Sequence, residues 1–228
     1  MIRHTVVLSF MLSFTVACSG GNEVSKGLVL NDVLKKEQET YNETWRKHRS
    51  EIEFQSGVSV RNCADYVREV KRSHLSESVN NQLVKSEYLR CEVLDLVGET
   101  FIGDEEVDRD DGELIAERLD LRSFPSSMFQ VASDEKFTLR AVFPDDIQTK
   151  RNGVIYESDD WVFSLDLVAV VDVDDNGLLD WIMWLADESK EGNYHSYTTL
   201  VSFDVSDAAV VMTAVPYALV VSGNTVSH

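Results

Sequence analysis

The sequence predicts an α+β protein in which an N-terminal helical layer packs against a C-terminal, mostly antiparallel β-sheet. Two observations carry this prediction. In residues 28–122 apolar side chains recur at the spacing of amphipathic helices, whereas residues 123–228 contain alternating or continuous apolar runs that are typical of strands. We therefore expect residues 28–228 to form a single domain, mainly helical up to residue 122 and mainly strand beyond it.

The helices are predicted from apolar stripes that follow good N-terminal capping residues. Asparagine and aspartate cap helices because their side-chain oxygens accept the unpaired N–H groups of the first turn. The predicted helices are 28–54, capped by Asn31 or Asp32 and ended by Gly57; one that begins at Asn62; 79–97; and a short helix that starts at Asp110 or Asp111 and runs through Leu121.

The strands are predicted from apolar alternation, with Asn152 and Gly153 as a hairpin turn. In residues 181–185 both alternating sets of side chains are apolar, so this strand is expected to be covered on both faces, with the helices covering one of them. The predicted strands are 137–143, 153–157, 161–171, 181–185, 195–205, 208–213 and 217–221.

Charge and hydropathy exclude some functions. The formal net charge is −19, from 40 acidic and 21 basic side chains, so the surface could not neutralise the phosphates of a nucleic acid. Hydrophobic residues make up 43% of the chain, which is enough for a real core. No internal apolar run reaches the length of about 18 residues that a membrane-spanning helix needs.

The N-terminus has the parts of a secretory signal. A short basic start is followed by an apolar stretch over residues 5–17 and then by Cys18. The motif Thr15-Val16-Ala17-Cys18 resembles the lipobox of bacterial lipoproteins, with Thr15 where that pattern prefers leucine. The resemblance implies a signal peptide of residues 1–17 and a lipid on Cys18. The alternative is an ordinary secretory signal that leaves Cys18 as a plain thiol.

The same resemblance implies an address. Ser19, rather than aspartate, follows the cysteine, which implies sorting to the outer membrane of the bacterial cell envelope, on its periplasmic side or its surface. Residues 18–27 then form a flexible tether. If Cys18 carries the lipid, Cys63 and Cys91 remain as an even pair, and we expect a disulfide between the second and third predicted helices. The alternative is two buried free thiols.

The best candidate site is the stretch from residue 172 to residue 180. Its acidic residues follow a D-x-D-x-N-G-x-x-D pattern, which places oxygen ligands for a hard cation on a tightly curled backbone. The pattern resembles the calcium loops of EF-hand-like extracellular modules, such as dockerin or integrin-type (FG-GAP) repeats. The resemblance implies one calcium ion, and the ligands it implies are Asp172, Asp174, Asn176, the Leu178 carbonyl and Asp180.

Met183 departs from the EF-hand pattern, because it stands where an EF-hand has its bidentate glutamate. We therefore expect weak, structural binding, with a Kd of about 10⁻⁴–10⁻³ M. The alternative is that Asn176 and Gly177 form a simple type I′ hairpin turn. Electrostatics favours the ion, since two carboxylates about 4 Å apart repel by roughly 4 kcal/mol at an effective dielectric of 20.

Aromatic residues follow the loop and could form a platform for sugar or peptidoglycan, or could simply pack in the core. These residues are Trp181, Trp184, Tyr194 and Tyr197. None of the common catalytic motifs is present. We therefore expect a lipid-anchored, non-catalytic envelope protein with a calcium-stabilised domain, which binds or supports an envelope partner. The alternatives are a periplasmic inhibitor or glycan-binding module that uses these aromatics, and an enzyme whose acids cannot be identified.

Overall fold

A computed structural model describes residues 27–98, 110–205 and 211–223. The predicted signal peptide (1–17), Cys18 and the tether up to residue 26 lie outside the described residues. Within them the chain is α+β, as predicted: helices dominate the N-terminal part, and an antiparallel sheet of seven strands lies mainly in the C-terminal part.

The helices are numbered in chain order. They are α1 (Asp32–Glu39), α2 (Tyr41–Arg46), α3 (Cys63–Val70), α4 (Val79–Val97), α5 (Asp111–Arg118), α6 (Leu139–Val142) and α7 (Tyr217–Val221), with a 3-10 helix at Ser127–Gln130. The strands are β1 (Leu28–Val29), β2 (Ile52–Glu53), β3 (Ser59–Val60), β4 (Ile147–Lys150), β5 (Gly153–Glu157), β6 (Trp161–Val171), β7 (Asp180–Ser189), β8 (His195–Ser202) and β9 (Val215–Pro216).

Side-chain caps begin several helices where the sequence predicts them. Asn31 accepts the N–H groups of Val33 and Leu34 at 3.0 and 3.1 Å and begins α1. Asn62 and Asp110 cap α3 and α5 in the same way. These caps are readable from the sequence because the hydrogen bonds span only two or three residues.

The single helix predicted over residues 28–54 is wrong. Leu28 and Val29 instead form β1, α1 and α2 are two short helices, and residues 52–53 form β2. Gly57 ends no helix: it has a φ of +81° in the turn between β2 and β3. The helical spacing of apolar residues continues across these breaks. The first two residues nevertheless pair with β6 as strand β1, so the helix cannot begin there.

Two predicted strands are helical. Residues 139–142 form α6, where the Thr138 hydroxyl accepts the Ala141 N–H, and residues 217–221 form α7. The β4–β5 turn lies at residues 151–152, because Gly153 already pairs with Lys150. Residues 208–210 of the predicted strand 208–213 lie outside the described residues, and Met212 makes an isolated bridge to Leu119.

The sheet order is β4-β5-β6-β7-β8-β9, and β1 pairs with the far end of β6. A bulge at Val168 interrupts the pairing of β6 with β7, since Leu167 lies opposite Met183 and Ala169 lies opposite Ile182. The extra residue moves the apolar side chains beyond it to the other face of the sheet. This is why the odd-numbered apolar residues of β6 serve two cores.

Apolar side chains cover the central strands on both faces, as residues 181–185 predict. The α5-side core contains Ile115, Ala116, Leu119, Phe163, Leu165, Leu167, Trp181, Met183, Leu185 and Leu200. The α4-side core contains Val29, Leu34, Val93, Val97, Val168, Ala169, Val171 and Ile182. Helices therefore lie on both faces of the sheet, whereas the sequence analysis assigned them to one.

A third, helical core is built around the predicted disulfide, which is present between Cys63 of α3 and Cys91 of α4. Both cysteines are fully buried among residues of α3, α4, α7 and the β2 region, namely Ile52 of β2, Phe54 just after it, Tyr66, Tyr88 and Tyr217. The bridge joins residues 28 positions apart and so restricts the unfolded chain.

Candidate metal centre

The candidate site is the loop that joins the two central strands of the sheet. Residue Val171 of β6 pairs with Asp180 of β7, so the residues between them form the loop. Carboxylate oxygens of Asp172, Asp174 and Asp180 all lie within 4.8 Å of one another. Two oxygens bound to one calcium ion at about 2.4 Å can be at most about 4.8 Å apart, so this spacing fits a shared ion.

The loop is curled by its own side chains. The Asp172 carboxylate accepts the N–H groups of Asn176 and Gly177 at 3.0 and 2.7 Å. Asp174 also accepts the Asn176 N–H, at 3.3 Å. These bonds draw the first and third positions of the pattern around the backbone of the fifth and sixth, which brings two carboxylates together.

The alternative of a two-residue hairpin turn at Asn176 and Gly177 is wrong. A type I′ turn needs positive φ at both central residues, but here the positive values fall on Asp175 (+58°) and Gly177 (+87°), and not on Asn176. The paired positions Val171 and Asp180 are also too far apart in sequence for such a turn. A longer, curled loop occupies this place.

Asp180 is the buried member of the group, with no exposed surface. Its two carboxylate oxygens accept the N–H groups of Val173 at 2.8 Å and of Asp204 at 2.9 Å. The pKa of Asp180 is raised above its ordinary value, mainly because the carboxylate is buried. The two hydrogen bonds lower the pKa and the nearby carboxylates of Asp174 and Asp204 raise it, but burial has the largest effect. The arrangement therefore disfavours negative charge, and a bound cation would offset that effect.

Asp204 is a site residue that the sequence analysis missed. It follows β8 with a φ of +52°, and its carboxylate accepts the Asn176 side-chain N–H at 2.8 Å. A lone aspartate in a turn carries no pattern, and the pairing of β8 with β7 brings it to the loop. It places a further negative charge beside the three predicted carboxylates.

The remaining predicted ligands lie at the rim of the loop. The Asn176 side-chain oxygen accepts the Leu178 N–H at 2.7 Å, and the Leu178 side chain is exposed. Met183, at the twelfth position of the pattern, is fully buried in the α5-side core. It lies on the opposite face of β7 from Ile182 and the α4-side core, so it is a packing residue.

The four aromatic residues of the predicted platform do not lie on one surface. Trp181 is buried in the α5-side core, and Tyr194 lies against Trp161 with a ring-centroid distance of 5.4 Å. Trp184 and Tyr197 are half-buried on the other face of the sheet. The alternation of β7 explains the separation, because Trp181 and Trp184 are an odd number of residues apart.

Comparisons with protein families, with curated proteins and with solved structures find no match to this chain. Among residues 27–98, 110–205 and 211–223, no helix has the length and apolar character needed to cross a membrane. The function is therefore argued from the site itself.

Proposed function

We propose that the protein is a lipid-anchored, non-catalytic component of the bacterial envelope whose domain is stabilised by one calcium ion. The observation that carries the proposal is the convergence of the Asp172, Asp174 and Asp180 carboxylates at the end of the central hairpin. Carboxylate oxygens at this spacing are ligands that calcium prefers. Asp180 would hold the ion from the sheet, and Asp172 and Asp174 would hold it from the loop.

An ion at this point would stabilise the end of the central hairpin. It would neutralise the carboxylates that the loop gathers, and it would fix the end of the β6–β7 pair. The hydrogen bond from the Asp204 N–H to Asp180 would connect the same point to the end of β8. Strands β6, β7 and β8 would thus be connected at the same end of the sheet.

Calcium should raise the melting temperature of the protein. With a Kd of about 10⁻⁴–10⁻³ M, calcium at about 10 mM adds about 1.4–2.7 kcal/mol to the free energy of unfolding, or roughly 3–10 °C for a chain of this size. The measurement is a thermal melt in calcium and in chelator. Asp174→Ala, which removes the ligand oxygen as well as the charge, should abolish the shift.

The matched control lies in the same loop. Asp175→Asn removes the same charge from the neighbouring position, which is not a ligand in the pattern, and asparagine tolerates the positive φ found there. The Asp175 variant should keep the calcium shift. Equal loss of the shift in both variants would mean that calcium acts through general attraction to negative charge and not through coordination. Absence of a shift in the wild type would refute the calcium site.

The lipid anchor is supported by the sequence motif at Cys18 and by the direction of the chain. Leu28 follows the predicted tether and pairs with Val170, at the end of β6 that leads into the loop. The tether and the calcium loop would therefore lie at the same end of the sheet. Radiolabelled palmitate should label the wild type and leave Cys18→Ala unlabelled; equal labelling of the two proteins would refute the anchor.

A second candidate function, a module that binds or inhibits an envelope partner, is favoured by one observation. Trp184 and Tyr197 are diagonal neighbours on β7 and β8, on the same half-exposed face of the sheet. Aromatic side chains at partly exposed positions are common in binding surfaces. Sedimentation with purified peptidoglycan, with wild type and Tyr197→Ala compared, tests whether the partner is a glycan.

A further inference from the structure

The face of the sheet that carries Trp184 and Tyr197 has a defined composition, which follows from the strand register. We call it the open sheet face. Side chains opposite one another in an antiparallel pair lie on the same face, so the pairing fixes the members. In three rows from β5 to β8 they are Gly153, Asp166, Trp184 and Thr199; Ile155, Ser164, Ala186 and Tyr197; and Glu157, Val162, Glu188 and His195.

One end of this face is covered and the rest is half-exposed. Thr199 has no exposed surface where α4 packs against β8, whereas Ile155, Val162, Ser164, Ala186 and Tyr197 are half-buried. The middle of the face carries only small side chains, at Ser164 and Ala186. Larger side chains therefore surround a low centre, with the two aromatic residues on one side of it.

The charged groups on the open sheet face are mainly acidic. They comprise the carboxylates of Glu157, Asp166 and Glu188; Lys150 of β4 lies opposite Gly153 at the edge, and His195 lies opposite Glu188 with its Nδ1 4.0 Å from that carboxylate. Glu157 is paired with Lys190 at 2.7 Å. The net charge of the whole protein has the same sign, at −19.

Two of these carboxylates lie next to the aromatic residues. The Tyr197 hydroxyl donates a hydrogen bond to Glu188, and burial of Tyr197, with this hydrogen bond, raises its pKa to about 12. Asp166 lies opposite Trp184, and its Oδ1 lies across Gly153, where an added Cβ would be only 2.7 Å away. Each aromatic ring thus has a carboxylate beside it.

We propose that the open sheet face docks a basic segment of a partner protein, with lysine or arginine side chains between apolar ones. The proposal rests on the binding role given above as the second candidate, and it needs neither calcium nor the lipid. A cation beside Trp184 or Tyr197 gains both a charge partner and contact with an aromatic face, and the apolar side chains fill the low centre. The acidity of the whole chain attracts such a segment and repels polyanions.

The test uses the full chain in a non-ionic detergent and a fluorescent peptide in which lysine and leucine alternate. Fluorescence anisotropy measures the affinity. The double variant Asp166→Asn with Glu188→Gln removes two charges from the face with almost no change in shape, and binding should weaken by about tenfold or more. The control is Glu117→Gln with Glu135→Gln, two exposed residues elsewhere, which should change the affinity by less than about twofold.

A third variant guards against loss of fold. Ala186→Lys puts a positive charge at the half-exposed centre and should also weaken binding, while a thermal melt shows that the protein remains folded. Equal weakening in the face and control variants would overturn the proposal, since attraction to overall charge would then explain it. No binding of the peptide would overturn it as well, as would binding of a neutral chitin oligosaccharide that the face variants abolish. The calcium and palmitate experiments are independent of all these outcomes.

Discussion

Asp187 is a carboxylate without exposed surface that connects three parts of the fold. From β7 it accepts the N–H and the hydroxyl of Ser127, both at 2.7 Å, and the indole N–H of Trp161 at 2.6 Å. It thereby holds the 3-10 helix against the sheet. A buried carboxylate is tolerated in such a place because these N–H and O–H groups satisfy its oxygens.

Asp187→Ala should destabilise the protein by about 3 kcal/mol, because it leaves partly buried N–H groups of Ser127 and Trp161 without their acceptor and removes a fully buried side chain. Urea denaturation measures the loss. The matched control is Asp134→Ala, which removes a fully exposed carboxylate that pairs with Arg122 at 2.7 Å. That change should stay within about 0.5 kcal/mol, and equal losses in the two variants would contradict the role given to Asp187.

At the residue scale, the sequence was informative where the determinants are local. The spacing of Asp172, Asp174 and Asp180 was sufficient to predict that the carboxylates converge, because they belong to one short loop and to the first residue of the strand that follows it. Asp204 was not predictable, since only the pairing of β8 with β7 brings it to the loop. The division of the aromatic platform was also missed, although the alternation of β7 alone would have separated Trp181 from Trp184.

At the scale of elements, local signals and tertiary contacts compete. The predicted bounds of α4 are confirmed, and in the structure Ser78 caps its start and Gly98, with a φ of +65°, ends it. In contrast, α7 contains Tyr217, Val220 and Val221, which favour strands. It is helical where Tyr217 enters the helical core and donates a hydrogen bond to Asp95 at 2.7 Å. That contact spans half the chain, so no local pattern predicts it.

For Gly112 of α5, packing against the sheet and helix propensity predict opposite effects of an alanine substitution on stability. Alanine normally stabilises a helix by about 0.5–1 kcal/mol relative to glycine. At Gly112, however, an added Cβ would lie 2.0 Å from the Lys150 carbonyl oxygen and 2.2 Å from that of Gly153. Gly112→Ala should therefore destabilise the protein by about 2–3 kcal/mol, because α5 must move away from the β4–β5 turn.

Chemical denaturation of Gly112→Ala measures this effect. Glu117→Ala provides the comparison, since Glu117 is an exposed residue of the same helix and its replacement should leave stability nearly unchanged. If Gly112→Ala proves as stable as the wild type or more so, the close approach of α5 to the turn is incorrect.

At the scale of the whole molecule, the net charge of −19 opposes compaction. The sheet is stabilised by apolar cores on both faces, while the acidic side chains repel one another across the surface. Sodium chloride should therefore raise the melting temperature, because the Debye length falls from about 30 Å at 0.01 M to about 3 Å at 1 M. Differential scanning calorimetry over this range measures the change.

The same titration separates general screening from the proposed ion site. Screening acts on all the carboxylates, so at about 0.5 M sodium chloride it leaves little repulsion for calcium to relieve elsewhere on the surface. The carboxylates of Asp172, Asp174 and Asp180 are close enough to share one ion, and screening by monovalent ions cannot replace direct coordination. Calcium should thus still raise the melting temperature of the wild type and of Asp175→Asn in high salt, and should not raise that of Asp174→Ala. A calcium effect that vanishes in high salt would identify the loop as one more acidic patch.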